Sequence, residues 1–230
     1  MNRIKFVEKE LPYDIEEEIK TLRTNIQFCG EDKKVIMFTS CISGEGKTTT
    51  ALRIAKSLTE LNKKVVLIDC DLRKSILISQ VEDSTVEYGL THFLAGQCKF
   101  ADALYATNIP RLAVMFAGIV PPNPTELLSG ERFKKMIESL REGFDYVIVD
   151  CAPIGMVVDA AIVAPVCDGS ILIVESGTIK KKFADESKKK LERTGTSILG
   201  VVLNKVDHKK NGKYYGKYYG KRYSKYYKKD

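Results

Sequence analysis

The chain has no uninterrupted apolar run near the ~18 residues that a membrane-crossing helix needs. Its N-terminus, MNRIKFVEKELPYDIEEE, lacks the apolar stretch of a secretory signal, so a cytosolic location is expected. Histidine is scarce, with two residues in 230. The six cysteines (Cys29, Cys41, Cys70, Cys98, Cys151 and Cys167) form no CxxC pair. That excludes a zinc ribbon and argues against a disulfide scaffold, leaving reduced core thiols as the simpler reading. What remains, 44% hydrophobic and 29% charged residues, is the balance of an ordinary globular protein of one generous domain or two small ones.

Net charge is also nearly absent from most of the chain. The whole carries +7 and the segment from His208 to Asp230 carries +8, which leaves −1 for residues 1–207. An electrostatic partner of that charge therefore belongs to the C-terminal segment. No aliphatic residue follows Val206, so this segment cannot build a core, and it is expected to be disordered when free. It repeats KYYG twice and holds seven of the eleven tyrosines: Tyr214, Tyr215, Tyr218, Tyr219, Tyr223, Tyr226 and Tyr227.

The periodicity predicts a helix over 13–28, where Ile15, Ile19, Leu22 and Ile26 form a stripe. Glu17, Lys20 and Arg23 lie opposite, within an arc of ~120°. Buried strands are expected at KKVIMFTS, KKVVLID, 112–118, 144–150, 169–176 and 197–205. Helices are expected over 47–62, 125–141 and 179–194. Short apolar strands alternating with helices imply an α/β fold, a mostly parallel sheet with helices on both faces.

The loop ISGEGKTT, between a strand and a helix, has the architecture of a P-loop. Ser43, Gly44, Glu45, Gly46, Lys47, Thr48 and Thr49 are its candidate nucleotide-binding residues. The glycines let backbone N–H groups face phosphate oxygens, and the helix adds its positive dipole end. Lys47 suits the β- and γ-phosphates, and the Thr48 hydroxyl suits Mg²⁺. The strict GxxxxGK[ST] pattern has glycine where Cys41 stands. Partition and division-site ATPases carry a signature lysine at the position of Ile42, so the loop follows neither form. Asp69, Asp71 and Asp150 stand at or just beyond two strand ends, where ligands of open parallel sheets bind. Such carboxylates suit metal binding and proton acceptance.

These motifs together resemble the bacterial tyrosine kinases (BY-kinases) of capsule and exopolysaccharide synthesis, in the form separate from a membrane chain. ISGEGKT matches the Walker A loop of that family, VLIDCDLR its Walker A′ motif, YVIVDCAP its Walker B motif and PPNPTELL its proline-rich signature. The resemblance implies a P-loop kinase using ATP and Mg²⁺, with catalytic residues Lys47, Asp69, Asp71, Arg73 and Asp150. Thr48, Asp71 and Asp150 would organise the metal, Asp69 would take the tyrosine proton, and Arg73 would position charge near the transferring phosphate. Asn204 matches where related folds read the adenine edge, and a structural strand-end role is its alternative. Glu17, Lys20 and Arg23 resemble the E-x-x-R-x-x-R oligomerisation motif, with Lys20 in place of the first Arg and without its bidentate fork.

The implied organisation is an N-terminal helix over 1–30, a kinase domain over 31–207 and a tyrosine acceptor tail over 208–230. Partners would be further copies in a ring, with the tail in a neighbour's site, a transmembrane adaptor that recruits the chain to the inner face of the membrane, and other tyrosine substrates. Seven phosphotyrosines, at about −1.5 to −2 each, would turn the tail from +8 to roughly −3 to −6. Taken alone, a basic and aromatic segment equally suits RNA or an anionic membrane surface. Beside a nucleotide fold the acceptor reading prevails, and no nucleic-acid partner is expected. The competing function is an ATPase switch that localises cargo, against which Ile42 counts.

Overall fold

The computed structural model describes residues 2–7, 10–82 and 86–207. The tyrosine-rich segment 208–230 lies outside the described residues. The chain begins with β1 (Asn2–Arg3), β2 (Lys5–Phe6), α1 (Tyr13–Phe28), β3 (Val35–Ser40), α2 (Lys47–Thr59) and β4 (Val65–Asp69). Short elements follow: β5 (Val81–Glu82), α3 (Leu90–Leu94), α4 (Phe100–Ala103) and β6 (Tyr105–Ala106). The second half comprises β7 (Leu112–Met115), α5 (Pro124–Ser129), α6 (Glu131–Gly143), β8 (Tyr146–Asp150), α7 (Asp159–Val163), β9 (Gly169–Glu175), α8 (Lys181–Glu192) and β10 (Ile198–Asn204).

Eight strands form one sheet in the order β1-β6-β7-β4-β8-β3-β9-β10. The six from β7 to β10 are mutually parallel, while β6 runs antiparallel to β7 and carries β1 beside it. Successive side chains of a strand point to opposite faces, and here that alternation separates two cores. Ile36, Phe38, Leu67, Ile148 and Ile173 meet α2 through Ile54, Ala55 and Leu58, with Ile26 of α1 added. Val35, Met37, Ile68, Val149 and Leu172 meet α6 through Phe133, Met136 and Leu140. With both faces covered, the central strands are apolar throughout rather than alternating.

All six expected strands and the α/β architecture are present, but β10, expected to be buried, is the edge strand and leaves Val201 and Leu203 about half exposed. The helix expected over 125–141 is two, because Gly130 adopts extended backbone (φ −69°, ψ 152°) between α5 and α6. Arg23 fastens α1 to the end of α2, donating to Ser57 O at 2.7 Å, Ser57 Oγ at 2.9 Å and Glu60 Oε2 at 2.8 Å. Lys20 instead stays on the outer side, paired with Glu16 and Glu17 at 2.9 and 3.0 Å.

Candidate active site

The loop between β3 and α2 is shaped by two glycines. Gly44 and Gly46 have φ of +91° and +88°, the left-handed region that side chains disfavour. A Cβ on Gly46 would also stand 2.3 Å from Asn204 Nδ2. Cys41 is not among the positive-φ residues, so the first position of the loop needs no glycine here.

On the β9–β10 side, the loop is held by the chain itself. Glu45 is fully buried, and its Oε2 accepts the N–H groups of Cys41 and Ile42 at 2.7 and 2.9 Å. Its Oε1 accepts the Glu175 N–H at 3.0 Å. Asn204 Nδ2 donates to Glu45 O at 2.8 Å, and Lys205 Nζ donates to Gly44 O at 2.8 Å and Glu175 Oε2 at 2.9 Å. The side chains of Glu45 and Asn204, both read from sequence as nucleotide contacts, thus bind the loop. Ser43 is exposed in the loop, and Thr49 is half-buried in the first turn of α2.

The β4–β8 side is different. Asp69 and Asp150 end adjacent strands in register. Lys47 Nζ lies 2.8 Å from Asp71 Oδ2, 3.7 Å from Asp150 Oδ1 and 3.3 Å from Thr48 Oγ1. Asp69 accepts the Asp71 N–H at 3.0 Å and the Ser75 hydroxyl. Both Asp150 carboxylate oxygens are buried without a hydrogen-bond partner. Burial, then the charge of Asp150, pushes Asp69 up to about 8. Burial also raises Asp150, against the opposing pull of Lys47. For Lys47, burial favours the neutral form, but the negative charges of Asp150 and Asp71 outweigh it and hold the pKa above its ordinary value.

The sequence-predicted Lys47, Thr48, Asp69, Asp71 and Asp150 therefore converge. Arg73 stands beside them but points its fork at Asp159, with Nε–Oδ2 at 2.7 Å and Nη2–Oδ1 at 2.9 Å. Asp159, fully buried at the start of α7, was missed by the sequence reading, as were Glu175 and Lys205. Asp159 lies far along the chain from Arg73, and no periodic signal links them. Lys205 adjoins Asn204, and its basic side chain beside a strand-end asparagine was the available clue. The loop after β8 also presses on the P-loop, since a Cβ at Gly155 would stand 2.1 Å from Cys41 O.

A buried lysine and hydroxyl at the start of a helix, a glycine-turned loop and strand-end carboxylates facing them define a P-loop protein of the α/β class. A family model described as an AAA domain matches residues 33–191. The tyrosine-protein kinase CpsD of Streptococcus agalactiae is 43% identical over 209 residues, covering 90% of this chain and 91% of that protein. The kinase domain of Escherichia coli tyrosine kinase ETK is 29% identical with a TM-score of 0.77, covering 84% of this chain and 77% of that one. The septum site-determining protein MinD of Pyrococcus horikoshii OT3, solved with Mg-ADP, is 25% identical with a TM-score of 0.62, covering 74% and 69%. The chain belongs to the family of bacterial tyrosine-protein kinases. No helix among the described residues is long and apolar enough to cross a membrane.

Proposed function

We propose that this chain is an ATP-dependent protein-tyrosine autokinase acting on the C-terminal tyrosines of a second copy. The observation that carries the reading is Lys47 held between the buried carboxylates of Asp71 and Asp150, at 2.8 and 3.7 Å, at the mouth of a P-loop. Two buried carboxylates around one ammonium leave a site that fits a divalent cation and polyphosphate. Thr48, Asp71 and Asp150 are the residues that would hold Mg²⁺, which when bound neutralises charge developing on the phosphates. Loop amides and Lys47 bind and orient the phosphate chain.

Asp69 in its ionised form, which the Ser75 hydroxyl and the Lys47 charge favour against burial, accepts the proton of the incoming tyrosine hydroxyl. The tyrosine oxygen then forms its bond to the γ-phosphorus as the bond to the β-phosphate oxygen breaks, releasing ADP. Arg73, oriented by Asp159, places positive charge beside the transferring group.

The biological setting follows from the motif resemblance: control of capsular or exopolysaccharide synthesis and export, with a transmembrane adaptor recruiting the kinase to the inner face of the membrane. Copies would assemble in a ring through the exposed face of α1 carrying Glu17 and Lys20, with Arg23 fixing that helix to α2. Phosphorylation of the tail would then reverse its charge and loosen the assembly.

Intact-mass spectrometry after incubation with Mg-ATP tests the reading, alone and with the cytoplasmic segment of a candidate adaptor. Wild type should gain successive phosphates, while Lys47→Met, Asp71→Asn and a chain ending at Asp207 should gain none. ATP hydrolysis with no phosphate retained on the protein would replace the kinase by an ATPase switch.

A further inference from the structure

Six large apolar side chains are exposed in the segments that follow β4, β7 and β8, and the first and last of these strands end in Asp69 and Asp150. Ile76 and Ile78 follow β4, Ile119 and Val120 follow β7, and Met156 and Val158 follow β8. They range from 47% exposed for Ile76 to 70% for Val120. The three strands are neighbours in the order β7-β4-β8, so the loops leave the sheet side by side. Arg73 links two of them: it belongs to the same segment as Ile76 and grips Asp159, next to Val158.

The position of this rim follows from the direction of a bound nucleotide. Lys47 reaches from the P-loop toward Asp71 and Asp150, so the terminal phosphate belongs on the β4–β8 side. The acceptor must approach from that side, across the rim. Clustered exposed apolar residues at the edge of a polar site mark a binding surface. The segment 208–230 matches it chemically, with tyrosines in the doublets 214–215, 218–219 and 226–227 and lysines between them. Adjacent residues of an extended strand point in opposite directions. A doublet therefore cannot put both hydroxyls at one phosphate, and its second ring needs an apolar seat. The lysines find an exposed carboxylate in Glu126 of α5, at the edge of the rim.

Resting on the kinase reading above, we infer that the rim formed by Ile76, Ile78, Ile119, Val120, Met156 and Val158 is the acceptor platform. It seats one ring of a tyrosine doublet from a second copy while the other ring presents its hydroxyl to the phosphate.

The test is binding rather than turnover, so it stands apart from whether transfer occurs. Fluorescein-labelled GKYYGKYYG, the sequence of residues 212–220, is titrated with the full chain in Mg-ADP and followed by anisotropy. Ile119→Ser/Val120→Ser and Met156→Ser/Val158→Ser replace exposed residues and so spare the fold. Each pair should weaken the peptide at least about tenfold more than it weakens Mg-ADP, since aromatic burial dominates such contacts. The peptide GKYSGKYSG should lose a similar factor on wild type, and little further on the variants. Unchanged peptide affinity in both variants, or no binding to wild type, overturns the platform. So does a result in which only the sedimentation of the protein changes, which would make the rim an interface between copies. The kinase reading fails separately, through tails that stay unphosphorylated while the peptide binds.

Discussion

The two flanks of the P-loop are built on opposite principles. Toward β9 and β10, Glu45, Asn204, Lys205 and Glu175 close a network in which acceptors and donors of the loop are met from within the chain. Toward β4 and β8, three buried carboxylates crowd one ammonium, and Asp150 has no hydrogen-bond partner. Burying charge without full pairing is costly, whereas a satisfied buried network rigidifies what it holds. The first flank is a frame, and on the proposed function the second is the flank that takes nucleotide and metal. Breaking the frame should therefore cost stability and loosen nucleotide, while neutralising the second flank should cost activity and can even stabilise the free protein.

The largest effect is expected where the two flanks meet. Lys47→Met removes the ammonium that pairs with both Asp71 and Asp150, leaving buried charge undercompensated. Chemical denaturation of the nucleotide-free protein should show a loss of about 3–5 kcal/mol, together with complete loss of tail phosphorylation. A variant as stable as wild type would mean that the carboxylates are protonated when no nucleotide is bound.

Next comes the frame. Glu45→Ala strips the acceptor from the amides of Cys41, Ile42 and Glu175 at once. A loss of about 2–4 kcal/mol is expected, with weaker Mg-ADP binding by calorimetry, because unmet buried donors carry their full desolvation cost. Stability lost without any change in nucleotide affinity would show that the loop keeps its form without this carboxylate.

The opposite sign is expected at Asp69. Its folded pKa lies above the unfolded value of 3.8, so folding takes up a proton. The stability that proton brings is fully present below the unfolded pKa and is lost as pH rises to about 8. Asp69→Asn escapes that loss, because an amide does not ionise and still bonds to Ser75 and the Asp71 N–H. Its advantage over wild type should grow by about 1 kcal/mol or more between pH 5 and pH 8 and then level off. Tail phosphorylation should disappear over the same range. An advantage independent of pH would place the ionisation of Asp69 elsewhere.

How much of this was legible beforehand depended on distance along the chain. Strands buried on both faces appear as continuous apolar runs, and the stripe of Ile15, Ile19, Leu22 and Ile26 sets the whole of α1. Lys47 and Thr48 share one motif, and Asp69 and Asp150 end recognisable strands. The two-residue strands β1, β2, β5 and β6 are too short to carry a period. Gly130 breaks a helix by a backbone choice that a glycine permits but does not compel. The Arg73–Asp159 fork and the triple use of Glu45 depend on tertiary proximity, which spacing does not encode. A motif names the residues of a loop without saying which of their side chains face the ligand and which hold the loop.

Lys205 offers the finest test of the frame, because its two contributions oppose each other. Its backbone is left-handed at φ +54°, a conformation that costs a side-chain-bearing residue ~1–2 kcal/mol. Its ammonium meanwhile bonds to the Gly44 carbonyl and pairs with Glu175, a half-exposed pair worth ~0–1 kcal/mol beyond the hydrogen bond. Lys205→Gly removes strain and latch together, so the stability of the free protein should move by less than about 1 kcal/mol. Nucleotide binding should respond nonetheless, since the Gly44 carbonyl in the loop loses its donor. Lys205→Ala keeps the strain and loses the latch, and should be the less stable of the two with the same loss in Mg-ADP affinity. Equal stability of the two variants would mean that the left-handed turn at the end of β10 stores no strain. An unchanged affinity in both would assign the frame on this flank to Glu45 and Asn204 alone.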